Sequence, residues 1–431
     1  MKRLVFLLLG IFLSFADAFA QKIVSGVYVG GHIRRERPGT ITKLRNSGFT
    51  YALLFNVHVD ADGTLKTDGE TICKDGVHVF QNTQPNYQQD VKNLKTPPTS
   101  IQRIEIVIGG WGNDSYDHIR DLINAHGTGS NTMLYKNFKA LKEAVPEIDA
   151  VNNDDEHCYD VETGAKFHIM MYNLGYKTTL APYTYKNYWT QLSDKIRASR
   201  PRAVDRVMVQ CYDGGAGNVN SVGTWNFTGV SDRHAGLLNY SNDWSVEKNL
   251  AQFQKWYDEG VATGGFVWVY NDESWDLNAW ASGMNRVFGA ITVPEEQVVV
   301  RCYSEKNYKG YCVSLPEGTF TQADLALYGL TAKDLSSLEI VDDFYQVRLY
   351  LTTDCTGSRV IRKSSAKMLS TNYDNKVCSI VVEPNPTGIK EIDNCEVVKS
   401  SNSQIFNVAG QRLDKMQKGV NIVNGKKILI P

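Results

Sequence analysis

The sequence predicts an α/β chain: a (β/α)8 TIM barrel followed by a smaller all-β Greek-key domain. Three observations lead there. Strand-like runs alternate with helically spaced stretches from Lys22 to about Ile291, the alternation stops near Val293-Pro294-Glu295-Glu296, and a duplicated turn pattern follows.

The strand-like runs are IVSGVYVGG, FTYALLFNVHV, IEIVIGGWG, IDAVNNDDE, FHIMMYNLGYKTTLAPY, RVMVQCYDGG, HAGLLNYSN and GGFVWVYND. In the fifth, a helix end (FHIMMYNLGY) precedes the strand KTTLAPY. Stretches such as YKNFKALKEAV and VEKNLAQFQKWYDEG read as the helices between them. Eight strand–helix alternations over about 270 residues have the size and rhythm of a (β/α)8 barrel. An open doubly wound sheet is the alternative, and the lack of GxGxxG after the first strand counts against it.

Beyond the boundary, Tyr303-SEKN-Tyr308-Lys-Gly310 recurs as Tyr350-LTTD-Cys355-Thr-Gly357, and SSLEIV recurs as CSIVVE. An aromatic, a four-residue gap and then x-Gly marks a tight hairpin corner, with glycine supplying φ > 0. Two such units read as paired Greek keys. After Glu383, PNPTGIKEI is a linker. The final runs IFNV, GVNIV and KKILIP are strand-like but too few for an independent core.

At the other end, Lys2 and Arg3 precede the apolar run LVFLLLGIFLSF and the small-residue pattern Ala18-Phe19-Ala20. That is the form of a secretory signal peptide, too short in its apolar run to span a bilayer. The expected organisation is therefore a signal peptide over 1–20, a barrel over 21–292, a Greek-key domain over 297–383, and a linker with a C-terminal segment over 384–431. An exported chain, whether periplasmic, at the cell surface or secreted, is free to form disulfides among its eight cysteines.

With 42% hydrophobic and 22% charged residues the chain is ordinary globular material. A net charge of −1 argues for neither nucleic acid nor anionic membrane as a partner. No CxxC or HExxH occurs, which disfavours a metal enzyme, and no cofactor is required. Twenty-two Tyr and eight Trp suit both carbohydrate stacking and a large core.

The informative stretch is Asp149-Ala-Val-Asn152-Asn-Asp154-Asp-Glu156, at the C-terminal end of the fourth strand, where barrel active sites are built. Strand periodicity puts Asn152, Asp154 and Glu156 on one face and Asn153 and Asp155 on the other. Burying such a row without a function costs several kcal/mol, whereas a solvated acidic loop costs nothing. Other strand ends favour the functional reading. The third ends in Ile108-Gly109-Gly110-Trp111, the sixth in Gln210-Cys211-Tyr212-Asp213 with Gln210 and Tyr212 inward, and the eighth carries Trp268, whose indole could floor a sugar subsite.

These residues resemble glycoside hydrolase family 18, the chitinases and endo-β-N-acetylglucosaminidases. The family's DxxDxDxE motif matches at Asp149, Asp154 and Glu156, its SxGG motif at Gly109 and Gly110, its strand-six motif at Tyr212 and Asp213, and its strand-eight tryptophan at Trp268. Leu180-Ala181-Pro182 looks like the fifth strand of compact members. The resemblance covers roughly residues 22–291. Asn152 stands where the family has its middle Asp, and Val107 replaces the Ser of SxGG; the first change is expected to alter the pH profile more than to abolish turnover. The resemblance implies substrate-assisted retaining hydrolysis of β-1,4-linked N-acetylglucosamine glycans, in which the sugar's own N-acetyl oxygen is the nucleophile. It implies Glu156 as general acid, Asp154 as the group holding the acetamido N–H, and Tyr212 as donor to the acetyl oxygen. Asp149, Asn152, Gln210, Asp213, Trp268, Trp111 and Gly110 would shape the substrate subsite. Whether the substrate is chitin or an N-glycan stays open, as does a non-catalytic, lectin-like alternative. His157 is expected to be structural, and a Cys158–Cys211 bridge is a geometric question.

Residues 297–383 resemble a βγ-crystallin domain through the duplicated corner and the Ser-bearing strands. That family's calcium signature matches in part at Asp374, Asn375 and Ser379, with Cys378 in the fifth place; Ala332 to Ser337 lacks the leading pair. At most one degraded calcium site is implied. Cys302, Cys312, Cys355 and Cys378 suggest at least one stapling disulfide there. The tail GQRL…KGVNIVNGKKILI is similar to the sorting segments of type IX secretion substrates, which would make secretion machinery a partner.

Overall fold

The computed structural model describes residues 20–31, 33, 37–238, 245–271, 275–386, 390–391, 404–408, 410–423 and 426–430. The expected signal peptide thus lies outside the described residues, apart from Ala20.

Eight parallel strands close into a ring: β1 (Ser25–Gly30), β2 (Tyr51–Val59), β3 (Arg103–Gly109), β4 (Ala150–Asp154), β5 (Lys177–Leu180), β6 (Val204–Gln210), β7 (Arg233–Leu238) and β8 (Gly264–Tyr270). Closure is complete because β1 pairs in parallel with both β2 and β8. Alternation along each strand divides two cores. Val27, Val29, Ile104, Ile106 and Val151 face outward, packing with the surrounding helices. Tyr28, Tyr51, Val107, Met208, Phe266 and Val269 fill the ring's interior. Rings this large fit because glycines stand opposite them: a Cβ on Gly26 would lie 2.0 Å from the Tyr51 ring.

The helices follow the strands: α1 (Gly39–Arg45), α2 (Tyr87–Lys95), α3 (Ser115–His126), α4 (Met133–Ala144), α5 (Val161–Asn173), α6 (Lys186–Ser199), α7 (Val246–Asp258) and α8 (Leu277–Phe288). Four carry a side-chain N-cap, among them Asp160 accepting from Thr163 N and Ser245 accepting from Lys248 N. The eightfold alternation expected from the sequence is imperfect. After β6 only 3-10 turns occur, over Asp213–Asn220 and Val222–Thr224, and α3 and α4 both follow β3. Three glycines over 213–217 explain the missing helix, since each raises its entropic cost. An antiparallel excursion of short strands, Leu65–Thr67, Glu70–Lys74 and Val77–His78, grows from the end of β2, which the sequence reading did not anticipate.

The second domain comprises β9 (Val300–Glu305), β10 (Lys309–Leu315), β11 (Gly318–Phe320), α9 (Gln322–Tyr328), β12 (Ser337–Ile340), β13 (Tyr345–Tyr350), β14 (Arg359–Arg362) and β15 (Ser379–Pro384). Its sheets run β10-β9-β12 and β11-β15-β13-β14, so β11 of the first repeat completes the sheet of the second. The duplicated corners form as expected: Tyr308 and Cys355 both take φ of 60°, and the Tyr303 and Tyr308 rings meet at 5.5 Å. Equivalent serines clamp them. Ser337 donates to the Glu305 carbonyl at 2.6 Å, and Ser379 donates to that of Thr352 at 2.7 Å.

The expected disulfides do not form; all seven described cysteines are free. Register explains one pair: Tyr303, not Cys302, lies opposite Cys312, so Cys302 turns into the core while Cys312 faces solvent. Cys158 lies 3.4 Å from Arg120, and Cys211 is directed at the Val209 carbonyl, so the pair suggested by sequence stays apart.

The second domain docks through α9 on α8. Asn285 donates to the carbonyls of Gly48 at 2.7 Å and Ala326 at 3.0 Å, and the Arg286 guanidinium covers the Tyr311 ring at 3.6 Å. Gly48 lies three residues before the start of β2, so this seam is at the N-terminal end of the barrel. The seam thus lies away from the C-terminal end of the barrel. In the tail, Lys390–Glu391, Ile405–Asn407, Arg412–Leu413, Gly419–Val423 and Lys426–Ile430 form a small sheet, more order than the sequence suggested.

Candidate active site

Every residue lining the main cavity comes from the C-terminal end of a barrel strand or the loop that follows. Phe55 is from β2, Gly110 and Trp111 follow β3, Asp154 ends β4 and Glu156 follows it, and Tyr183 follows β5; Gln210 ends β6, with Tyr212, Asp213 and Gly214 after it, and Trp268 is from β8. The cavity measures about 630 Å³.

Strand β4 supplies the acids by simple alternation. Asn152 points into the ring, where its Oδ1 accepts from Tyr28 at 3.2 Å and its amide lies 3.4 Å from Met208 Sδ. Asp154, one layer higher, accepts from Gln210 Nε2 at 2.7 Å. Asn153 and Asp155 turn outward. Asn153 meets His168 Nε2 at 2.8 Å, and burial holds that imidazole neutral, its pKa lowered to about 3.

Asp155 is the anchor that presents Glu156. Its carboxylate accepts from the backbone N–H groups of His157, Cys158 and Tyr159 at 3.1, 2.9 and 2.8 Å, and from the Tyr188 hydroxyl at 3.0 Å. The chain is thereby folded back just after Glu156. Gly109 is required on the opposite side: its φ is +104°, and a Cβ there would lie 2.1 Å from the Asp154 carbonyl, which accepts from Gly110 N at 2.7 Å.

Burial raises the pKa of both inward acids. For Asp154 desolvation dominates, the Glu156 charge adds to it, and the Gln210 hydrogen bond opposes it. For Glu156 desolvation again leads and the charges of Asp155 and Asp213 reinforce it, while a hydrogen bond from Tyr183 works against them. Two neighbouring carboxyls in one desolvated mouth favour a shared proton. Tyr212, desolvated beside both, is held firmly protonated as a donor. Trp268 forms the floor, 6.4 Å from Tyr212 in a near-parallel stack and edge-on to Phe55 at 4.7 Å. Trp111 stands at the rim, 91% exposed.

Of the residues expected from sequence, Glu156, Asp154, Tyr212, Gln210, Asp213, Trp268, Trp111 and Gly110 converge here. Asp149 does not. It precedes β4 at the far end of the barrel, pairs with Lys95 at 2.8 Å and accepts from Ile104 N at 2.8 Å. Five residues of strand separate it from Asp154, roughly 16 Å. Asn152 is likewise a correction: fully buried beneath Asp154, it supports the site and is not among the residues lining the cavity. His157 is exposed, paired with Asp117 at 2.6 Å, and is not among the residues lining the cavity. Sequence reasoning missed Tyr183 and Phe55. Tyr183 directly follows Leu180-Ala181-Pro182, and its position after a barrel strand was the available signal.

The proposed calcium ligands separate. Asp374 and Asn375 come together around Ser336, whose hydroxyl lies 2.7 and 2.9 Å from their side-chain oxygens. Ser379 instead clamps its own hairpin corner, with its oxygen accepting from Cys355 N at 2.9 Å. Lys306 Nζ lies 3.0 Å from the other Asp374 oxygen, placing an ammonium where a divalent ion would need the carboxylate. The three residues expected from sequence therefore do not share one site: Ser336, not Ser379, joins Asp374 and Asn375, and Lys306 holds the carboxylate there.

No protein-family model matches the chain, and neither does any curated protein. Solved structures match about a fifth of it. They include a βγ-crystallin domain from Flavobacterium johnsoniae, at 34% identity over 21% of this chain and 98% of that one, TM-score 0.20. Another is a βγ-crystallin domain from Clostridium beijerinckii, at 25% identity over 20% and 95%, TM-score 0.19. The N-terminal domain of Protein S is similar at 27% identity over 20% and 96%, TM-score 0.19.

Proposed function

We propose that this chain is an exported glycoside hydrolase that cleaves β-linked N-acetylglucosamine glycans by substrate-assisted catalysis. One observation carries the reading: Asp154 and Glu156 share a desolvated cavity at the mouth of a closed barrel, with a tyrosine donor beside them and a tryptophan floor. A raised pKa favours the protonated form of Glu156, the form a general acid for a glycosidic oxygen takes. Asp154, held in one orientation by Gln210, would accept the acetamido N–H and stabilise positive charge developing on the ring formed when the acetyl oxygen attacks the anomeric carbon. Tyr212 would donate to that acetyl oxygen. Trp268 and Trp111 offer flat apolar faces to sugar rings. No step calls for a cofactor.

A glycan-binding protein without turnover is the second reading, favoured by the exposed Trp111 at the rim. Incubation with a fluorogenic chitobioside and with a high-mannose glycoprotein separates the two. Product from either supports the hydrolase and should vanish in Glu156→Gln. Binding without product from either supports the lectin. The tail's proposed role, as an address read by secretion machinery, is tested by following export after deletion of residues 404–431.

A further inference from the structure

Outside the cavity, on the side of Glu156, three tyrosines run outward in sequence. Tyr183 lines the cavity with Glu156 and works against the rise in that acid's pKa, the Tyr159 hydroxyl is buried beside it, and the Tyr159 ring meets that of Tyr185 at 4.5 Å. Tyr185 is 63% exposed. A single exposed ring is ordinary, but the backbone here is not. Tyr159 takes φ of 51° and Tyr185 takes φ of 49°, the left-handed region that costs a non-glycine residue roughly 1–2 kcal/mol. Tyr185 recovers little of that cost through burial. Its support is rigid, because Tyr159 packs edge-on against Tyr188, and Asp155 accepts from both Tyr159 N and the Tyr188 hydroxyl. The residue that fixes the acid therefore also fixes this ring.

We infer that Tyr185, seated on Tyr159, is an outer sugar-stacking subsite on the leaving-group side of Glu156. The ligand class is then an N-acetylglucosamine oligosaccharide long enough to leave the cavity, and cleavage is internal rather than at a terminal sugar. This rests on the proposed glycan-binding role of the cavity. A general acid faces the oxygen of the departing sugar, so a flat ring outward of Glu156, reached through Tyr183 and Tyr159, meets the units beyond that oxygen.

The test uses the full chain carrying Glu156→Gln, titrated calorimetrically with diacetylchitobiose and with chitopentaose. Adding Tyr185→Asn removes the ring while keeping a residue that tolerates the left-handed backbone. It should weaken pentaose binding on the order of tenfold and leave the disaccharide unchanged. Tyr185→Phe, which retains the stacking face, should bind the pentaose like the parent. Equal pentaose affinity with and without the ring overturns the subsite while the cavity's role stands. A parent that binds neither sugar overturns both, and is a distinct result.

Discussion

Gln210 donates from one nitrogen to both the Asp154 carboxylate, at 2.7 Å, and the Ala181 carbonyl, at 2.9 Å. A single amide thus ties β6 to β4 and to the loop after β5, and holds Asp154 in the orientation the proposed chemistry needs. Replacing it with Leu leaves a desolvated carboxyl short of a donor, which costs about 1–3 kcal/mol. Gln210→Leu should fold and lose roughly 10–100-fold in kcat/KM on a fluorogenic chitobioside. Unaltered turnover would detach Gln210 from the site.

The pH profile follows from Glu156. Its pKa is raised above the ordinary glutamate value of 4.5 by burial first and by neighbouring acids second, so the protonated, active form persists above that pH and is lost as pH climbs through the shifted value. Tyr183→Phe removes the hydrogen bond that opposes the shift. The alkaline limb of kcat/KM should move to higher pH in that variant. A limb that stays put, or moves down, contradicts the role given to Tyr183.

Asp154 should cost stability. With its folded pKa raised above 3.8, mainly by burial and then by Glu156, the native state holds the proton more tightly than the unfolded chain. That group's stabilising contribution is complete below 3.8 and is lost as pH rises through the folded pKa. Asp154→Asn should therefore melt several degrees higher at neutral pH, about 1–2 kcal/mol, while losing turnover. The advantage should shrink on acidification to about pH 3.5. An Asn variant no more stable at pH 7 would rule out the desolvated carboxylate.

Lys306 already neutralises Asp374 in the second domain. Millimolar calcium should leave the melting curve of the full chain unchanged, whereas Lys306→Met frees the carboxylate and should introduce a calcium-dependent rise. A rise in the unaltered protein would show that calcium displaces the ammonium.

Much of this was legible in the residues. A period of two along Asn152-Asn153-Asp154-Asp155-Glu156 is local geometry, and the structure keeps those faces. The paired hairpin corners were legible too, because a tyrosine, a left-handed residue and a glycine at fixed spacing constrain only their own few residues. Asp149 misled because a motif's members need not share a site: the strand between them carries it to the other end of the barrel. Tyr183 was hidden because its value depends on Glu156, twenty-seven residues earlier in the chain.

The amino-acid sequence by itself determined the alternation of strands and helices, the side of β4 that turns inward, and the two corners of the second domain. All of these follow from backbone periodicity and local sterics. Tertiary structure alone decided that the ring closes, that Gln210 reaches Asp154, that Ser379 clamps a turn, that Cys302 and Cys312 fall on opposite faces, and that the second domain docks away from the mouth. Those outcomes depend on register and on contacts between residues distant in sequence, which local rules do not encode.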